Sequence, residues 1–103
     1  MYTPVVYHAV VIRSVRLSRR AEKDLERVPE HIVLKLQAWV EAVRYRGLEV
    51  VRRIPGYHDE PLQGTWFGHR SIRLSRAYRA IYRITTDEGL ELVYVEKVTK
   101  HEY

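Results

Sequence analysis

The sequence of 103 residues contains no cysteine, which excludes a disulfide framework and any metal site built on thiolates. It also lacks an apolar run of membrane-spanning length, because the stretch from Ala9 to Ile12 is broken at once by Arg13. Nothing at its start resembles a secretory signal, since Met1-Tyr2-Thr3-Pro4 has no basic residue. We therefore expect a cytoplasmic protein without a membrane partner.

A chain of this length is large enough for one hydrophobic core and too short for two. Its composition is 46% hydrophobic and 30% charged, which is typical of a globular domain rather than a disordered chain. Residues 1–8, interrupted by Pro4, are predicted to be an N-terminal extension. Residues 9–103 are predicted to form a single domain.

The net charge is +5, and the basic residues cluster in one part of the chain. A run of fourteen residues contains no acid and five arginines, which are Arg70, Arg73, Arg76, Arg79 and Arg83. A concentration of positive charge of this kind indicates an anionic partner such as nucleic acid. The alternative is a solvated sheet face whose arginines cover apolar surface and pair with scattered acids.

The first half of the chain has helical periodicity after one short strand. Ala9 to Leu17 is rich in β-branched residues and is predicted to be a strand. Ser18 is a suitable N-cap for a helix from Arg19 to Arg27. Pro29 then suits the first turn of a second helix that runs to about Arg46 and is stopped by Gly47. Residues 47–56 are predicted to be a loop.

The second half alternates with the period of β-strands. The predicted strands are Ser71–Leu74, Tyr78–Thr85 and Leu90–Val98, with a hairpin turn at Asp87-Glu88-Gly89. The resulting order, β-α-α-β-β-β, predicts an α+β fold in which an N-terminal helical hairpin packs on one face of an antiparallel sheet.

Alternation along the second of these strands places Arg79 and Arg83 on the same face, with Arg73 projecting from the neighbouring strand. A guanidinium group makes two hydrogen bonds to a phosphate and keeps its charge, so these side chains are candidates for phosphate contacts. Arg79 is the candidate catalytic arginine. Arg73, Arg76 and Arg83 are candidates for substrate binding.

Three further side chains have the chemistry of a nuclease site. Glu60 lies just before the sheet and, if water were excluded, could accept a proton, although a loop carboxylate is usually only solvated. His101 is suited to proton transfer near neutral pH, although a histidine near a terminus is more often a spectator. Tyr103 could stack on an unpaired base. His58 and His69 are weaker candidates.

No spacing of His, Asp and Glu predicts a metal site, so we expect no metal and no cofactor. Trp39 has helical spacing with apolar neighbours and is predicted to lie in the core. Trp66 and Phe67 lie in a loop bounded by glycines, where they serve either turn packing or substrate contact.

Several short motifs resemble the RelE/ParE superfamily of toxins, and the resemblance extends over residues 14–103. The motifs are Glu60-Pro61-Leu62, Gly64-Thr65-Trp66, Ile72-Arg73-Leu74, Tyr78-Arg79-Ala80-Ile81-Tyr82 and the closing Lys100-His101-Glu102-Tyr103. The last of them is similar to the C-terminal ends of the RelE, YoeB and HigB branches.

The resemblance implies a microbial RNase-like fold and a toxin of a type II toxin–antitoxin system, with a cognate antitoxin as partner. It also implies cleavage of messenger RNA, commonly in the A site of the 70S ribosome, by metal-independent transesterification. Glu60 resembles the general-base carboxylate of YoeB-like members, and Arg79 resembles their phosphate-binding arginine. His101 and Tyr103 resemble their C-terminal His and Tyr, which are adjacent in YoeB but separated here by Glu102.

Two other functions remain open. The ParE branch poisons DNA gyrase and generally lacks the catalytic residues, so Glu60 and His101 favour the nuclease branches over it. An inactive relic of the fold that binds RNA or protein is the third possibility.

Overall fold

The computed structural model describes residues 11–101, which contain three helices and a five-stranded sheet. The predicted N-terminal extension and Tyr103 lie outside the described residues. In the part of the chain that is described, no helix has both the length and the apolar character needed to cross a membrane.

The helical hairpin consists of α1, Arg19–Leu25, and α2, Glu30–Arg46. Ser18 is the N-cap of α1, as predicted, and its hydroxyl accepts a hydrogen bond from the backbone N–H of Ala21 at 2.9 Å. Gly47 ends α2 with a φ of +85°, and a Cβ at this position would lie 2.5 Å from Val11 Cγ1. Only glycine can adopt this positive φ and fit beside Val11 without strain.

The segment after Gly47 is more ordered than the predicted loop. A third helix, α3, spans Leu48–Val51, and its two terminal residues are fully buried. A 3-10 turn follows at Pro55–Tyr57. Gly47 and Pro55 begin these short elements, as the N-cap of α3 and the first residue of the 3-10 turn. Burial of Leu48 and Val51 stabilises the helical turn between them.

The five strands have the spatial order β1-β5-β4-β3-β2. Their bounds are Val15–Leu17, Glu60–Pro61, Arg70–Arg73, Tyr78–Asp87 and Leu90–Lys100 for β1 to β5. Glu88 and Gly89 have positive φ values of 50° and 81°, as a tight two-residue hairpin turn between β4 and β5 requires. The α+β class and the predicted hairpin of helices are confirmed.

The sheet differs from the purely antiparallel prediction in two details. Glu60, expected in a loop, belongs to the short strand β2, which pairs antiparallel with β3. Strand β1 pairs parallel with β5 and begins at Val15 rather than Ala9. It begins later because the preceding residues contact the start of α3 instead: the Ile12 carbonyl accepts from the N–H of Leu48, the first residue of that helix, at 2.9 Å.

A β-bulge in β5 changes which side chains face each side of the sheet. Ile81 pairs with Lys97 and Tyr82 pairs with Val95, so Glu96 is the extra residue. Its carbonyl accepts a hydrogen bond from the Ser18 hydroxyl at 2.6 Å, and the N–H of Val98 donates to the Asp24 carboxylate at 2.9 Å. Polar groups from the two ends of α1 therefore satisfy backbone groups at and just after the bulge.

The core lies between the helices and the inner face of the sheet. Trp39 is fully buried, as predicted, and its ring lies 5.3 Å from that of Tyr82 on β4. Burial of large side chains of this kind is the main stabilising contribution in a domain of this size. The helices cover this inner face, which leaves the outer face of the sheet available for other groups.

Candidate active site

An open cleft of about 500 Å³ lies on the outer face of the sheet, between residues of β2 and β3, the start of β4 and the end of β5. Its polar lining consists of Glu60, Ser71, Arg79, Lys97, Thr99, Lys100 and His101, and its apolar lining consists of Leu62, Trp66 and Ile81. The structure thus brings three of the four predicted catalytic residues, Glu60, Arg79 and His101, to one cavity. The fourth, Tyr103, lies outside the described residues.

Arg79 occupies the centre of this cleft on β4. Its Nη1 donates to the Glu60 carboxylate at 2.9 Å and to the Ser71 hydroxyl at 3.0 Å. Ser71 is only 1% exposed, so it fixes the guanidinium from below. Both of these hydrogen bonds use Nη1, and a guanidinium has further N–H donors that can bind a phosphate.

Glu60 is positioned by the pairing of β2 with β3, in which it lies opposite Ser71. Its side chain is 57% exposed, so it remains in contact with solvent while it pairs with Arg79. A carboxylate in this position is accessible to a substrate hydroxyl and is oriented by a cation at the same time.

His101 follows the last residue of β5 and is half-buried. Its backbone N–H donates to the Ala77 carbonyl at 2.6 Å, which fixes the backbone at this end of the sheet. The prediction from sequence treated His101 as part of a terminus that could fray. The structure instead places it at the edge of the cleft.

The remaining predicted substrate-binding arginines lie outside the lining of the cleft. Arg73 is half-buried on β3 and pairs in register with Arg79, whereas Arg76 is exposed in the turn between β3 and β4. Arg83 donates from Nε to the Glu96 carboxylate at 2.6 Å and lies over the Tyr94 ring at 4.8 Å. Because none of these three arginines lines the cleft, any substrate contacts they make are peripheral.

Arg70, the first of the five clustered arginines, does not lie on the outer face with Arg79. Its side chain points to the inner side of the sheet, where Nε donates to the Asp59 carboxylate at 2.6 Å. Burial lowers the pKa of Arg70, but the hydrogen bond and the negative charge of Asp59 outweigh that effect and raise it overall.

Tyr82 completes this inner cluster. Its hydroxyl donates to the second oxygen of Asp59 at 2.6 Å. Burial raises the pKa of Tyr82 well above its ordinary value of 10.0, and the hydrogen bond to Asp59 raises it further. The hydroxyl therefore stays protonated and acts as a donor that holds Asp59 in place.

Lys97 is one of the cleft residues that the sequence analysis did not identify, together with Ser71, Thr99 and Lys100. Strict alternation from Val93 and Val95 places Lys97 on the inner face, but the bulge at Glu96 turns it outward into the cleft. A signal for this was present in the sequence. The apolar residues Val93, Val95 and Val98 are separated by one residue and then by two, and such a change of period is the mark of a bulge.

The cleft is electropositive, since Arg79, Lys97 and Lys100 line it together with one carboxylate, Glu60. Within residues 11–101 there is no group of three or more His, Asp or Glu side chains arranged to hold a metal ion. The arrangement combines a carboxylate that can accept a proton, cations that can hold a phosphate and a histidine that can donate a proton.

The sequence matches a family model described as "ParE toxin of type II toxin-antitoxin system, parDE" over residues 15–102. No curated protein sequence matches significantly.

Several solved structures have the same fold. YafQ from Escherichia coli strain BL21(DE3) is 22% identical with a TM-score of 0.66, over 86% of this chain and 93% of YafQ. A YoeB/ParE toxin from Agrobacterium tumefaciens is 20% identical with a TM-score of 0.62, over 86% of this chain and 99% of that toxin. A chain of the archaeal RelE–RelB complex from Pyrococcus horikoshii OT3 is 20% identical with a TM-score of 0.61, over 84% of this chain and 92% of that chain.

Proposed function

The chain belongs to the ParE toxin family of type II toxin–antitoxin systems, and we propose that it acts as an endoribonuclease whose cleft cleaves messenger RNA. The toxin assignment follows from the family and from the shared fold of YafQ, YoeB/ParE and RelE. The nuclease activity is a more specific proposal than the toxin assignment, and it rests on the chemistry of the cleft.

The observation that supports the proposal best is the convergence of Glu60, Arg79 and His101 on one cavity, although they lie far apart in sequence. The sequence separates Glu60 from His101 by forty residues, and the sheet brings both to the same outer face beside Arg79. A purely solvated face would not require a buried serine such as Ser71 to orient its arginine.

The proposed reaction is transesterification within the RNA. Glu60 accepts the proton of a 2′-hydroxyl, and the resulting oxygen attacks the adjacent phosphorus. The bond from phosphorus to the 5′-oxygen breaks, and His101 gives that oxygen a proton. The products are a 2′,3′-cyclic phosphate and a 5′-hydroxyl, so the proton taken by Glu60 is balanced by the one that His101 loses.

Arg79 stabilises the negative charge that gathers on the phosphate oxygens in the transition state. Preorganised donors contribute most to such a step because they need no reorientation as charge develops. Arg79 is preorganised by Glu60 and Ser71. In the A site of a cytoplasmic ribosome, the ribosome would hold the message in position. This positioning would supply a large entropic contribution to the rate of cleavage.

The proposal extends to a cognate antitoxin that inhibits the protein by covering its basic outer face. The archaeal relative was solved as a RelE–RelB complex, in which a toxin-fold chain has a second protein as partner. Arg73 and Arg83 lie beside the cleft on this face, so charge reversal at both should weaken an acidic antitoxin segment and slow its association.

A second candidate function is inhibition of DNA gyrase without catalysis, and the ParE description of the matching family favours it. In that case neither Glu60 nor His101 would be needed for toxicity. Supercoiling by purified gyrase, with and without the protein, separates this activity from RNA cleavage.

The decisive experiment is single-turnover cleavage of ribosome-bound message by the parent protein and by His101→Gln. We expect a loss of rate of roughly 10²- to 10⁴-fold, with RNA affinity nearly unchanged, because proton donation matters only in the transition state. His31→Gln is the matched control, since His31 is exposed on α2 and does not line the cleft. Cleavage by His101→Gln at the parental rate would refute the proposed acid.

A further inference from the structure

The two tryptophans of the chain have opposite environments. Trp39 is fully buried in the core, whereas Trp66 is half-buried and lines the cleft. Among the described residues, Trp66 is not one of the side chains that form the core or pack against it. A large aromatic ring at the wall of a cleft is placed where a molecule that enters the cleft can contact it.

Two polar side chains contact the Trp66 ring. The Lys97 ammonium lies 5.0 Å above the ring, and the His69 ring meets it edge-on at 5.0 Å with an interplanar angle of 84°. A cation over an aromatic ring is held by the negative charge of the π-face. One face of the indole is therefore occupied by a flexible lysine side chain, which can move aside for another flat group.

Hydrogen bonds within the loop fix the backbone that carries Trp66. A 3-10 turn spans Gly64–Trp66, and the N–H of His69 donates to the Trp66 carbonyl at 2.9 Å. The N–H of Leu62 donates to the His69 carbonyl at 2.9 Å, which closes the loop between β2 and β3. A preorganised ring loses little entropy when it binds a ligand.

We propose that Trp66 is a nucleobase-stacking residue, which makes the cleft specific for RNA whose bases are unpaired next to the scissile phosphate. This inference rests on the proposed function and deepens it. Stacking on an aromatic ring needs a base that is free of its duplex partner, and every base offers a π-face. A base that stacks on Trp66 replaces the Lys97 ammonium, which then binds a phosphate of the same strand.

The first test is fluorescence, because only one of the two tryptophans is placed to contact RNA. A short single-stranded RNA carrying 2′-O-methyl groups is the probe, since it has no 2′-hydroxyl that could attack. We expect it to quench the fluorescence of the parent protein. Trp66→Phe retains only the buried Trp39, so its fluorescence should not change on binding. The same RNA in duplex form should quench neither protein.

The second test is affinity, measured by filter binding with the same probe. Trp66→Ala should weaken binding roughly 5- to 100-fold, and Trp66→Phe should recover much of the loss, because a smaller aromatic ring still stacks. Phe67→Ala is the matched control. Phe67 is the neighbouring aromatic residue and is 78% exposed, but it does not line the cleft, so we expect parental affinity.

The salt dependence of RNA binding separates the contribution of base stacking from that of charge. Lys97→Ala should reduce the slope of the logarithm of the RNA-binding constant against the logarithm of the salt concentration by about 0.7. This is the change expected for the loss of one phosphate contact to a single strand. Trp66→Ala should leave that slope unchanged while it lowers affinity. A merely structural role for either side chain would not produce this separation.

The outcomes distinguish this inference from the proposed function. If the protein cleaves ribosome-bound message and Trp66→Ala binds and cleaves like the parent, stacking is wrong and the nuclease proposal stands. If bound RNA does not quench the parent protein, or if the probe does not bind at all, stacking is likewise refuted. If neither cleavage nor quenching occurs while gyrase is inhibited, both proposals fail.

Discussion

Asp59 and Glu60 are consecutive carboxylates that point to opposite sides of the same sheet. Asp59 is 1% exposed and bonds to Arg70, whereas Glu60 is 57% exposed and bonds to Arg79. The two ion pairs have the same chemistry and nearly the same length, at 2.6 Å and 2.9 Å. They differ in burial and in their third partner, which is Tyr82 for Asp59 and Ser71 for Arg79.

The difference separates an ion pair that is buried inside the protein from one that a bound molecule could reach. The inner pair, Asp59 with Arg70, joins the loop before β2 to β3 and β4. Both carboxylate oxygens of Asp59 accept hydrogen bonds from protein donors. The outer pair, Glu60 with Arg79, faces the cleft, where a substrate could reach both charges. Burial makes the first pair costly to break, and exposure makes the second inexpensive to rearrange.

The largest expected effect comes from the outer pair. Glu60→Gln keeps the shape of the side chain but removes the charge that accepts a proton, so we expect the cleavage rate to fall roughly 10²- to 10⁴-fold. The free energy of unfolding should change by less than about 0.5 kcal/mol, as for an exposed ion pair. Single-turnover kinetics and urea denaturation of the same preparation test both parts. Parental activity would show that another group accepts the proton.

The inner pair should give the reverse result. Asp59→Ala leaves Arg70 and the Tyr82 hydroxyl without their acceptor, and we expect a loss of about 3 kcal/mol in the free energy of unfolding. Urea denaturation measures this loss, and Glu60→Ala is the control at the neighbouring position. Equal destabilisation by the two substitutions would remove the distinction between an inner structural pair and an outer functional one.

The smallest expected effect is a pH dependence of stability that belongs to the inner pair. The pKa of Tyr82 is raised in the folded protein by burial and by its bond to Asp59, so above pH 10 the unfolded chain loses this proton first. Stability is complete below pH 10 and falls above it, by about 1.4 kcal/mol at pH 11 for this one group. Tyr82→Phe should have a correspondingly shallower alkaline loss in urea denaturation. Tyr45→Phe, at a side chain that is 73% exposed, should retain the parental slope.

The sequence was sufficient to predict the parts of the fold that depend on local pattern. Helical spacing placed Trp39 in the core, Ser18 capped α1, and the pair Glu88-Gly89 formed the turn between β4 and β5. Each of these features depends on a few neighbouring residues, whose propensities agree with the tertiary structure. Arg79 could also be assigned to the outer face, because β4 alternates without interruption from Tyr78 onward.

The features that the sequence did not reveal depend on contacts between distant residues. The parallel pairing of β1 with β5 joins Val15 to Val93, which no local pattern encodes. The bulge at Glu96 depends on Ser18 and Asp24, which supply its backbone hydrogen bonds from α1. Arg70 lies one residue before the predicted strand Ser71–Leu74, so the sequence analysis assigned its side chain to no face. It is the first residue of β3, where alternation places it on the inner side with Ile72, opposite to Arg73.

The position of β5 has a consequence for the time at which the protein can become active during its synthesis. This strand lies between β1 and β4, so the sheet is divided until residues 90–100 have left the ribosome. His101, at the edge of the cleft, leaves later still. Because the contacts that complete the sheet join the two ends of the described chain, folding must follow the emergence of its last strand. The cleft therefore cannot form in the nascent chain until residue 101 has emerged from the ribosome.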